Sequence, residues 1–190
     1  MSGDVILSIF LGIGLAASAG FRVFVPFFVL SLAAYTNIVE LNESWQWIGG
    51  ITALLIFGIA TLVEIFAYSI PWVDNLLDTL AMPLAALAGT AVMVSTLSGM
   101  DPVITWSLAI IAGGGTATAI KGAAAGSRMA STIGTGGLAN PAVSAVETAM
   151  ATVISWTAVL LPLVAVILVI IVLALVLRIY RKLRPRRGGT

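Results

Sequence analysis

Apolar runs of about twenty residues recur along this chain, and no other feature restricts its fold as tightly, because about twenty helical residues cross a bilayer core of about 30 Å. Inside lipid every backbone amide and carbonyl must find its partner within the protein, so such runs fold as helices. A mean hydropathy of +1.13 agrees with this reading. The expected fold class is all-α: a polytopic transmembrane helix bundle.

The first apolar segment extends from about Val5 to Tyr35, roughly 45 Å as one helix and longer than the bilayer core. Gly12, Gly14, Gly20 and Pro26, gathered around Arg22, are the residues able to tilt or break it. TNIVELNESWQW follows with two Glu and no basic residue, so it reads as an external loop and places the N-terminus inside. A second span runs from about Trp47 to Ile70, a third from about Thr79 to Leu97, and a fourth begins at Val103 and ends among Lys121 and Arg128 on the inner side. The stretch from Asn140 to Arg181 would measure roughly 60 Å as one helix, and Pro162 is expected to divide it into two lengths of about twenty. About six membrane segments result, some broken or re-entrant. Five crossings remain the alternative if Pro141 to Trp156 is a half-helix that enters and leaves from one side.

Six of the nine basic residues lie between Arg178 and Arg187. The positive-inside rule places this end in the cytoplasm, so both termini are expected there. The chain divides into a single transmembrane domain, residues 1–180, and a basic tail, residues 181–190. Arg178, Arg181, Lys182, Arg184, Arg186 and Arg187 are expected to meet anionic lipids. The tail is too short, and too poor in aromatics, for a nucleic-acid site. MSGDVILSIF has no basic region ahead of its apolar run, so no cleavage is expected. Cys and His are absent, which excludes thiolate and imidazole chemistry and the usual zinc, copper and iron ligand sets. Trp45, Trp47, Trp106 and Trp156 form an outer aromatic belt in this topology, and Tyr68, Trp72 and Tyr180 an inner one.

Several charges remain inside the apolar segments. Arg22 lies near the middle of the first and Glu64 well inside the second, where a lone ionised side chain costs from about 3 to more than 10 kcal/mol. The simplest resolution pairs Arg22 with Glu64. Glu147, in PAVSAVETAMATVISW, needs a partner too, with Lys121 or Arg128 as candidates. Each pair either fixes helix register or belongs to an ion or substrate path.

In IPWVDNLLD, Pro71 ends one helix or opens the next, which sets Asp74 and Asp78 on one helical face with Asn75 beside them. The two aspartates either complement a helix N-terminus or hold a cation, magnesium or a monovalent ion. No second acidic cluster accompanies them, as membrane prenyltransferase chemistry would need. In TGGLANPAV, Asn140 is placed as an N-cap and Pro141 as the first helical residue, a helix start whose free amides attract anions or polar ligands. Gly114, Thr118, Gly122, Gly126 and Ala130 recur every four residues, a ridge suited to close helix packing, or else to a narrow pore or a close ligand contact, and the protein is expected to form a homo-oligomer. ASAGFR at 17–22 is echoed by AAAGSR at 123–128, the kind of trace an internal repeat leaves in transporters.

GLAASAGFRVFVPF, FGIATLVEIFAYSIPWVDNLLDT, LAIIAGGGTA and TGGLANPAVSAVE together resemble a family of small bacterial membrane proteins classed as a domain of unknown function, numbered forty-one twenty-six. The resemblance covers about Gly14 to Pro162. It implies a multi-pass protein of the bacterial inner membrane, with motif positions at Gly20, Arg22, Glu64, Pro71, Trp72, Asp74, Asn75, Asp78, Gly137, Asn140, Pro141 and Glu147. It implies no activity.

The expected function is transport of an ion or small polar solute through a polar centre formed by Arg22, Glu64, Asp74, Asn75, Asp78, Asn140 and Glu147. Two other classes stay open. One is a membrane enzyme acting on a lipid-linked phosphate, with magnesium at Asp74 and Asp78; the other is a non-catalytic membrane scaffold.

Overall fold

The computed structural model describes residues 3–68 and 70–183, less the side chains at 71–76, 78–79, 176–177 and 179–183. Eight α-helices make up this part: α1 Gly3–Phe21, α2 Phe24–Tyr35, α3 Ile51–Ala67, α4 Pro71–Thr96, α5 Pro102–Leu108, α6 Gly115–Thr135, α7 Asn140–Leu160 and α8 Pro162–Leu183. A 3-10 turn, Glu43–Gly49, precedes α3, and a π-helical segment, Ala109–Gly114, joins α5 to α6. No strand occurs among the described residues.

Proline sets most of the helix starts. Pro71, Pro102, Pro141 and Pro162 each stand in a first helical turn, where the missing amide hydrogen costs nothing. Asp101 adds a side-chain cap, accepting from the Val103 amide at 2.8 Å. Between α6 and α7 the chain turns through Gly136 and Gly137 at φ of 63° and 88°, a left-handed backbone that glycine adopts without strain.

The bundle is organised around α1, which packs against α2, α4, α6, α7 and α8. Its residues from Leu11 to Gly20 are buried on nearly every face except at Ile13, and most are Gly, Ala or Ser. Small side chains are what permit five neighbours. A Cβ on Gly20 would lie 2.6 Å from the Ala117 carbonyl oxygen of α6, so only glycine fits that crossing. The outward surface is apolar, with Leu55, Ile59, Leu62, Val63 and Phe66 of α3 all exposed, as a lipid-facing wall requires.

Direction along the bundle departs from the expected topology. Ser8 and Asn42 both meet the last turn of α4: Thr96 Oγ1 is 3.5 Å from the Ser8 carbonyl oxygen, and Asn42 donates to the Leu97 carbonyl at 2.7 Å. The start of α1 and the loop after α2 therefore share one end. The first apolar segment is not one tilted crossing but a hairpin, α1 in and α2 back, with Arg22 at its tip. The physical reason is the break at Arg22 and Val23, which ends α1 one turn before Pro26. At the other side of the core, Gly14 packs toward Ala158 and Ala165, and Ala17 clusters with Val169, so α8 runs parallel to α1. The N-terminal turn of α1 and the C-terminal end of α8 thus lie at opposite ends of the bundle.

Segment lengths also differ from the expectation of six crossings. Gly3–Phe21, Pro102–Thr135 and Asn140–Leu160 are long and apolar enough to cross a membrane, and Glu43–Gly49 with Ile51–Ala67, bent by 66°, makes a fourth if taken as one span. Phe24–Tyr35 is a shorter apolar helix, and Leu80–Thr96 and Pro162–Leu175 are the described apolar parts of the longer α4 and α8. Pro162 splits the last stretch as expected, at Leu161, and α7 is a continuous helix of 21 residues rather than a half-helix. The small-residue ridge of α6 packs closely within the chain at its start, where a Cβ on Gly114 would meet Thr90 Oγ1 at 2.7 Å, whereas one on Gly126 would meet nothing within 4 Å among the described residues.

Two measurements follow from this arrangement. Gly20→Ala forces α1 from α6 and should cost about 1–3 kcal/mol, read as a lowered Tm in detergent, while Gly126→Ala should leave Tm unchanged. Single cysteines introduced at Gly3 and at Arg178, in a chain that has none, should label from opposite faces of a sealed vesicle.

Candidate functional site

The site begins with the break between α1 and α2. The Arg22 amide still closes the last turn of α1 on the Ser18 carbonyl at 3.0 Å, and α2 then starts with no local side chain to cap it. A helix start leaves amides without partners, and inside a bundle that omission costs about 1–3 kcal/mol per group. Glu64 of α3 fills the gap from a distance of forty residues: Oε1 accepts from the Val23 amide at 2.8 Å and Oε2 from the Phe24 amide at 3.0 Å. The carboxylate also lies at the positive end of the α2 dipole. Among the described residues it makes no direct ion pair, so the expected Arg22–Glu64 contact is not formed, although Arg22 and Lys121 are near enough to act on its charge.

Arg22 turns instead toward α7. It is fully buried, and its Nε donates to Thr148 Oγ1 at 3.0 Å while Nη2 donates to the Ser144 carbonyl at 2.9 Å and to Ser144 Oγ. Nη2 is also 3.9 Å from Glu147 Oε2. Nη1 has no hydrogen-bond partner among the described residues. Glu147 takes its main partner from α6, Arg128, which donates from Nε at 2.9 Å and from Nη2 to the second carboxylate oxygen. Of the two candidates for Glu147, Lys121 and Arg128, the structure selects the second.

Tyr68, the residue after α3, lies in the middle. The Arg22 and Arg128 guanidinium carbons stand 4.1 and 4.6 Å from its ring centroid, and Lys121 Nζ stands 5.7 Å away. All three are within cation–π range. The expected place of Tyr68 at an inner aromatic belt is therefore corrected: it is buried among charges. The two arginines of the sequence echo, Arg22 and Arg128, meet here across one ring and share one carboxylate. A seam of hydroxyls continues along α1 and α7, with Ser155 donating to Ser18 Oγ at 2.7 Å and Ser18 to the Ala151 carbonyl at 2.8 Å.

Not all predicted residues join this cluster. Asn140 does not cap α7; its amide group donates to Thr132 Oγ1 of α6 at 3.3 Å and ties the two helices together. The side chains of Asp74, Asn75 and Asp78, the candidate cation site, lie outside the described residues, as do those of Arg181 and Lys182 and the whole of Arg184, Arg186 and Arg187. Tyr68, Lys121, Ser144 and Thr148 were absent from the expected site. Ser144, Glu147, Thr148, Ala151 and Ser155 do share one helical face at spacings of three and four, which is a readable signal.

Beside the cluster an apolar groove of about 540 Å³ opens between α2, α3 and α4. Phe24, Ile59, Val63 and Leu84 line its walls with Tyr68, and Glu64 is the one charged lining residue among those described. Ile59 and Val63 are exposed, so the groove opens on the lipid-facing surface.

The chain belongs to the family described as a domain of unknown function, DUF4126, which matches residues 9–182. No curated protein and no solved structure matches the chain.

Breaking a buried ion pair from one side commonly costs about 3–5 kcal/mol. Glu147→Ala, which removes the acid that Arg22 and Arg128 share, should lower stability by that amount in a detergent unfolding titration. An unchanged midpoint would show that Glu147 does not hold the arginines.

Proposed function

We propose that this DUF4126 protein is a small membrane transporter or channel for an ion or small polar solute, whose path passes the tip of the α1–α2 hairpin. The observation that carries the reading is the Glu64 carboxylate on the Val23 and Phe24 amides, a buried acid at a helix break beside further buried charges. Broken helices with exposed amides are a recurrent way for transporters to hold ions and polar groups, and ionisable side chains inside membrane bundles are costly unless they serve. Glu64 carries the proton or cation in this mechanism. Arg22 positions the tip, and the paired Arg128 and Glu147 brace it against α7.

Orientation and assembly follow from charge and surface. The basic end of α8 points to the cytoplasm under the positive-inside rule, which places the hairpin tip, Lys121 and Arg128 on the cytoplasmic side and the start of α1 on the other. The protein then resides in a bacterial inner membrane, with Arg178 and the tail on anionic lipids. The open part of the α6 ridge around Gly126 suits a second copy of the chain, giving a homo-oligomer.

A non-catalytic scaffold is the second reading, favoured by the buried two-bond pairing of Arg128 with Glu147. Flux through proteoliposomes separates the two. Glu64→Gln, which keeps one acceptor oxygen for the tip amides, should alter flux at least tenfold with Tm within a few degrees of wild type. A silent flux screen, or a variant that loses stability without altering flux, rejects transport.

A further inference from the structure

We infer that the π-helical segment Ala109–Gly114 is a register switch. By passing its extra residue along α6 it turns that helix about its axis and swings Arg128 away from Glu147, which keeps Arg22 as its partner. The switch stands apart from the transport reading.

An α-helix turns about 100° per residue, so buried positions stay on one face only while the count is unbroken. Thr105 of α5 and Ala117 and Arg128 of α6 are all buried. In an unbroken α-helix Ala117 would stand about 120° and Arg128 about 140° round the axis from Thr105, whereas with one residue taken out of the count they stand about 20° and 40° from it. The π-helical segment takes up that residue. Its wider turn also sets two consecutive glycines against α4: a Cβ on Gly113 would meet the Gly89 carbonyl oxygen at 2.6 Å, and one on Gly114 would meet Thr90 Oγ1 at 2.7 Å. Ile111 of the same segment points outward, 75% exposed. Lys121 and Arg128 therefore reach Tyr68 and Glu147 because α6 carries a spare residue ahead of them.

A second register is sterically open. As the spare residue passes along α6, each buried position receives the residue before it: Ser127 replaces Arg128, Ala123 replaces Ala124 and Thr116 replaces Ala117. These incoming side chains are small, so the core accepts them without overpacking. The helix ends at Gly136 and Gly137, whose left-handed backbone can take up the extra residue. Glu147 is not left unpaired, because Arg22 Nη2 already lies 3.9 Å from Oε2, the oxygen that Arg128 Nη2 holds. The charged heads of Lys121 and Arg128 lie beside Tyr68 at the tip end of the bundle, where long basic side chains reach the membrane interface when turned outward.

Hydrogen exchange on the full chain in nanodiscs tests the switch. A passing π turn breaks each α-helical hydrogen bond in its path, so the amides of residues 116–127 should exchange at least tenfold faster than those of residues 145–157 in α7. Deletion of Ile111 removes the spare residue and leaves the buried positions on one α-helical face. That variant should fold with a Tm within a few degrees of wild type and slow the α6 amides to the α7 rate. Deletion of Ala125, an exposed residue beyond the segment, turns Arg128 away from Glu147 permanently and should lower Tm much further. Gly115→Ala, whose Cβ meets nothing within 4 Å, stiffens the helix and should slow exchange at least threefold. Arg128→Gln, which leaves Glu147 to Arg22, should quicken it at least threefold. Equal protection of α6 and α7 in the wild type overturns the inference. So does an Ile111 deletion that fails to fold, or one that folds and leaves α6 exchange fast.

Discussion

One carboxylate on two backbone amides makes the rest of this structure possible. A helix start is tolerated at a solvated surface because water or a neighbouring side chain completes it. The start of α2 lies in apolar surroundings, with Val23 half-buried and Phe24 exposed on the apolar outer surface, and has no local side-chain cap. Glu64 supplies both amides at once, from another helix, and its charge lies where the α2 dipole is positive. With the break satisfied, α2 can turn back along the bundle, and the Val5 to Tyr35 segment becomes a hairpin in place of a crossing. The hairpin brings Arg22 to its tip, sends α1 through the centre of the bundle, and puts the N-terminal turn of α1 opposite the end of α8.

The charges around the tip form a hierarchy. Arg128 and Glu147 make a bidentate pair with little freedom, and Arg22 is fixed by three acceptors on α7. Buried ion pairs add little net stability, since desolvation offsets most of their attraction, but losing one partner is costly. Their effect is to specify which face of α7 meets α1 and α6. Glu64 differs from them because its partners are neutral amides and because it borders a groove. The two acids thus differ in what they hold: Glu147 braces α6 against α7, and Glu64 holds the hairpin tip.

Much of this was legible in the residues. The helical class, the break near Arg22 and the division at Pro162 follow from hydropathy and proline chemistry, and Arg22, Glu64 and Glu147 announce themselves as charges in apolar runs. The direction of α2 was not legible, because an apolar helix reads the same along either direction and the loop after it has no basic residue to orient it. That single ambiguity hid the hairpin formed by α1 and α2. The Arg22–Glu64 pair was a natural inference from opposite charges, yet it overlooked the backbone, whose amides at a buried break need an acceptor as much as an arginine does. Tyr68 was hidden because an aromatic residue at the end of a helix looks the same at a membrane interface and among buried guanidinium groups.

The central claim is that Glu64 holds the hairpin tip through the Val23 and Phe24 amides. Hydrogen exchange at those two amides, compared between the wild type and Glu64→Ala in the same detergent, tests it most directly. Slow exchange in the wild type and fast exchange in the variant, confined to the tip while α7 stays protected, is the predicted result. Equal protection of both amides in the two proteins would contradict it.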